Sequence, residues 1–70
     1  MPNLKQLALT SADDAFTASI KTMVSNLLNA FVMAKSDADR ADAVARHKTG
    51  LRLCREVHDA TIAAIDEIYA

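Results

Sequence analysis

Seventy residues with a formal net charge of −1 allow one small domain and give no overall field that would draw it to nucleic acid or a membrane surface. Apolar residues make up 51% of the chain, but much of that share is alanine, which favours helix and fills little volume. A single cysteine excludes an intramolecular disulfide and fits a reducing compartment. The apolar runs are too short for a secretory signal or for the ~20 residues that span a bilayer, so the expected location is cytoplasmic with no membrane contact.

In chain order, residues 1–10 read as an N-terminal arm in which Leu4, Leu7 and Leu9 surround Lys5 and Gln6. Thr10-Ser11-Ala12-Asp13-Asp14 then reads as a helix start, because a hydroxyl can cap an orphan N–H and early acids suit the positive end of the helix dipole. Helix one is expected over about 11–35. Its apolar stripe runs Phe16, Ile20, Met23, Leu27, Ala30 and Ala34, stepping by four and three. Leu28 and Val32 fall on one flank of that stripe and Met33 on the other, so the end of the helix is apolar over more than one face.

Ser36-Asp37-Ala38-Asp39 supplies a second cap, with an acid three residues on as in a capping box. Helix two is expected over about 37–69. Its stripe runs Val44, His47, Leu51, Cys54, His58, Thr61, Ile65 and Ile68. One continuous helix is the competing reading, but a strict seven-residue frame carries Lys48 and Arg55 into the seam, which argues against it. Gly50 follows Arg46-His47-Lys48-Thr49 in the manner of a helix C-terminus. The stripe nevertheless keeps phase across it, so Gly50 reads as an interior residue that permits a close approach or a bend.

Three groups of residues carry candidate chemistry. His47, Cys54 and His58 share one face at one-turn spacings that can place thiolate and imidazole on one metal, although one chain supplies at most three ligands. The same cysteine has no oxyanion loop, Gly-rich turn or evident orienting group, so no enzyme activity is expected, and nothing calls for a cofactor. Lys48, Arg52 and Arg55 form a basic ridge that a dimer could double for phosphate binding. Helix one offers little matching charge, and Phe16, Phe31 and Tyr69 are the whole supply of aromatics for stacking. Local pairs such as Asp42–Arg46 or Arg52–Glu56 account for the ridge without a ligand.

The expected fold is an all-α antiparallel hairpin that dimerises into a four-helix bundle. Phe16, Ile20, Met23, Val24, Leu27 and Phe31 are expected to face Val44, Leu51, Cys54, Val57, Ile62, Ile65 and Ile68. Leu28, Phe31, Val32 and Met33 form the expected interface with a second copy or with a helix of another protein. The expected function is a non-enzymatic interaction module: an adaptor, regulatory or assembly subunit. A dimeric nucleic-acid-binding regulator is the alternative and a metal-binding bundle the third reading.

Overall fold

The computed structural model describes residues 3–70, which form two helices, α1 (Leu4–Met33) and α2 (Asp37–Ile68), packed against each other as a hairpin. Lys5 reaches Asp66, Asp13 reaches His58, and Met23 covers Gly50. The register is therefore antiparallel and in step from the turn to the open end.

Helix α1 begins at Leu4, earlier than the expected start near residue 11. The Asn3 side chain caps it, accepting from the backbone N–H groups of Lys5 (3.0 Å) and Gln6 (3.3 Å). Most of the expected arm is thus the first two turns of the helix, while Met1 and Pro2 lie outside the described residues. The reason is tertiary. Helix α2 extends to Ile68, and a partner starting at residue 11 would leave its last turns uncovered. The Lys5–Asp66 pair sets the first turns of α1 opposite the end of α2, where Ile65, at 8% exposure, is the one buried side chain among the described residues.

The turn is Ala34-Lys35-Ser36, and it behaves as its sequence suggests. The Ser36 hydroxyl oxygen accepts from Asp39 N–H (3.2 Å), and the Asp39 carboxylate accepts in return from Lys35 N–H (3.0 Å). No described residue outside glycine has a positive φ, so the reversal is made without a glycine. Helix α2 continues unbroken through Gly50. A Cβ there would overlap the Met23 Cε and lie 3.0 Å from its Sδ, so the missing side chain makes the notch into which the Met23 thioether packs.

The seam follows the predicted stripes closely. Phe16, Ile20, Met23, Leu27, Ala30 and Ala34 are all partly covered, as are Val44, His47, Leu51, Cys54, His58 and Thr61. Four residues expected in the seam are exposed instead: Val24, Phe31, Val57 and Ile68. On the helical wheel Val24, Phe31 and Val57 lie about 60° to 80° from the stripe centres, at or beyond the edge of the arc that one opposing helix covers. Ile68 lies where α2 has nearly run past the start of α1.

Candidate functional site

The hairpin is a slab, with Cα extents of 54 × 19 × 8 Å. A single pair of helices buries one stripe on each and leaves two flanks open, and these flanks are the candidate sites. Eleven large apolar side chains are exposed among the described residues.

One flank is marked by the cross-helix polar contacts. His58 Nε2 lies 2.8 Å from Asp13 Oδ1, and its Nδ1 faces Asp59 Oδ1 at 3.7 Å. Lys5 Nζ sits 3.2 Å from Asp66. Helical spacing carries this flank along α1 through Val24, Leu28 and Phe31 and along α2 through Lys48, Arg55 and Asp59. The expected basic ridge lies here, with Lys48, Arg52 and Arg55 all exposed. Arg55 Nε is 3.9 Å from Asp59, and Asp13, Asp59 and Asp66 follow directly along the flank, so the ridge is short and bordered by acids. Lys48 and Arg52 form no ion pair among the described residues, and the expected Arg52–Glu56 pair is absent there; Asp42 and Arg46 are paired.

The other flank carries a shallow groove of about 470 Å³ beside the turn, which brings Asn26 and Met33 of α1 together with Asp39, Asp42 and Arg46 of α2. Farther along, Ala18 and Thr22 meet Cys54 over a second depression. The same flank continues on α2 through Leu53, Val57, Ala60, Ala64 and Ile68, all exposed. The four-and-three spacing of this set was present in the sequence but had no place in a reading built on one stripe per helix.

The expected interface residues do not form one patch. Leu28, Phe31 and Val32 lie within about 100° of one another, whereas Met33 is about 100° to 160° from them and borders the groove on the opposite flank. Val32 and Met33, at 74% and 77% exposure, are the most open large apolar side chains described.

The three expected metal ligands are not gathered into a site, and no group of three or more His, Cys, Asp or Glu suited to a metal occurs among the described residues. His58 is turned to Asp13 and packs its ring on Phe16, with centroids 4.9 Å apart and planes tilted by 49°. Cys54 borders the opposite side of the seam beside Met23, and His47 lies a further two turns toward the hairpin end, its Nδ1 buried without a hydrogen-bond partner among the described residues. The one-turn spacing therefore places Cys54 and His58 on opposite edges of the seam.

No described helix is long and apolar enough to cross a membrane. Comparison with known protein families, curated proteins and solved structures returned no match to this chain.

Proposed function

We propose that this protein is a small non-enzymatic interaction module that works by self-association, two hairpins forming a four-helix bundle. The carrying observation is surface area. The chain exposes 5442 Å², whereas a compact monomer of its 7.6 kDa mass exposes about 4,300 Å². The surplus, about 1,100 Å², exceeds the roughly 800 Å² that each partner buries in a standard-size interface. With Ile65 as the one buried side chain among the described residues, the isolated hairpin has too little core to offset the conformational entropy of ordering two long helices. Pairing with a second copy supplies the missing burial.

The decisive experiment is absolute mass by light scattering or sedimentation equilibrium over a dilution series, with helicity followed in parallel. The expected result is a dimer or a higher multiple whose dissociation lowers helicity. A folded, fully helical monomer at 100 µM, roughly the upper end of useful association at this interface size, overturns the proposal.

A further inference from the structure

We infer that the second copy docks, turned end for end, on the groove-bearing flank rather than on the flank that carries Leu28 and Phe31; this rests on the self-association just proposed. The two flanks differ in charge. On the groove side α1 presents Leu4, Ala8, Ala15, Ala18, Thr22 and Asn26, none charged, along nearly its whole length. Across the seam α2 presents Leu53, Val57, Ala60, Ala64 and Ile68, uncharged from the middle of the slab to its open end, and confines its charges on this flank, Asp39, Asp42 and Arg46, to the groove at the turn end. The opposite flank carries Asp13, Lys48, Arg55, Asp59 and Asp66, each of which loses hydration if another helix covers it.

Burying the groove-bearing flank also strands few polar groups. The Ser19 and Thr22 hydroxyls donate to the carbonyls of Ala15 (3.0 Å) and Ala18 (3.1 Å), so neither needs water. The charges beside the groove are already engaged: Asp42 pairs with Arg46, and Asp39 accepts from Lys35 N–H. Alanines at 15, 18, 60 and 64 leave a flat surface on which a second pair of helices can approach closely. A slab 54 Å long and 19 Å wide offers about 1,000 Å² on this side, enough for a standard interface.

The orientation follows from where this flank is hollow and where it protrudes. The groove lies at the turn end, beside Met23, Met33 and Ala43. Leu4 and Ile68, 62% and 73% exposed, protrude at the open end, where there is no groove, while Met33, 77% exposed, forms the rim of the groove itself. A twofold axis across the middle of the slab, near Cys54, seats the Leu4 and Ile68 of each copy at the groove of the other, and the contact closes on itself. A parallel arrangement sets groove against groove and protrusion against protrusion.

Two measurements test this. The first compares dissociation constants by sedimentation for Leu53→Glu/Val57→Glu and for Leu28→Glu/Val32→Glu. The first pair is expected to weaken association at least 100-fold and the second by less than about threefold; the reverse ranking moves the interface to the other flank and overturns the inference while leaving self-association intact. The second uses spin labels on Glu67→Cys in a Cys54→Ala background, an exposed position on the outer edge of α2, so it reads orientation in a dimer that no substitution has charged. End-for-end docking places the two labels about 40 Å or more apart, because they sit near opposite ends of the bundle. A distance under about 30 Å means parallel docking and overturns the inference. A monomeric parent protein overturns both this inference and the proposal it rests on, and the mass measurement shows which case holds.

Discussion

Asp13 and His58, 45 residues apart in the chain, meet at 2.8 Å across the seam, and they do so while the His58 ring lies on Phe16. The imidazole thus does two things at once: its Nε2–H donates to the carboxylate, and its face closes the apolar seam. The two roles separate by substitution. Asp13 is well exposed, so Asp13→Asn is expected to cost under about 1 kcal/mol, in the range of surface pairs. His58→Ala also removes the ring contact and is expected to cost about 1–2 kcal/mol, with His58→Phe recovering part of it. Thermal melts of the three variants at one protein concentration check the order; equal losses for Asp13→Asn and His58→Ala would mean that the hydrogen bond, not the ring, holds this point.

The Met23–Gly50 contact predicts a coupled pair. In a helix interior Gly→Ala ordinarily stabilises by about 1 kcal/mol. At Gly50 the new methyl must displace the Met23 thioether, so Gly50→Ala alone is expected to be within about 0.5 kcal/mol of neutral. In a Met23→Ala background the same change is expected to recover the full gain of about 1 kcal/mol. A double-mutant cycle by chemical denaturation reads the difference. Additive effects would show that the thioether does not occupy the notch.

The two caps differ in what they protect. Ser36→Ala removes the acceptor for Asp39 N–H and is expected to cost about 1 kcal/mol globally, because the turn is where the helices are joined. Asn3→Ala removes the acceptor for two N–H groups but acts at the open end, so its expected effect is local fraying. Hydrogen exchange separates them. Faster exchange confined to residues 5–10 is expected for Asn3→Ala, and a uniform rise across both helices for Ser36→Ala.

How much of this was readable in the residues depends on the kind of information each feature needs. The seam stripe from Phe16 to Ala34 and the Ser36–Asp39 cap were readable, because spacing and local hydrogen bonding fix them within a few residues. The start of α1 was not. Thr10-Ser11 and Asp13-Asp14 form a strong local cap pattern, and it is overridden because Ile65 needs a partner two turns earlier. Val24, Phe31 and Val57 were misplaced for a related reason: on a helix apolar over several faces, spacing shows that a residue is apolar but not which face the partner takes. The flanks were the least readable of all. Whether Ala18 shares a side with Leu53 or with Arg55 depends on how two antiparallel helices face each other, and a wheel drawn for one helix holds no such information.

The basic ridge carries its own prediction. With Arg55 close to Asp59 and acids continuing along the flank, the local field is short-ranged. No mobility shift of single-stranded RNA or duplex DNA is expected at 20 µM protein in about 50 mM salt, where even non-specific binders register. A shift abolished by Lys48→Ala/Arg52→Ala would reinstate a nucleic-acid role.

Deleting residues 3–9 is expected to cost more than the loss of a disordered arm would. It strips cover from Ile65 and removes Lys5 from Asp66. The expected outcome is loss of roughly two turns of helix from the end of α2 as well as from α1, read as a drop in the 222 nm circular dichroism signal larger than the deleted residues account for. A drop matching the deleted residues alone would mean that α2 holds its last turns unaided.

The slab shape has a hydrodynamic consequence. The radius of gyration of one hairpin is 16.2 Å and comes almost entirely from its 54 Å length. Stacking two slabs face to face about 10 Å apart doubles the mass yet raises that radius by under about 1 Å. Thickening at constant length leaves the rotational and translational drag dominated by the long axis. In small-angle scattering, association would therefore appear as a doubled forward intensity over a nearly unchanged low-angle slope, the signature of a rod that has grown rounder rather than longer.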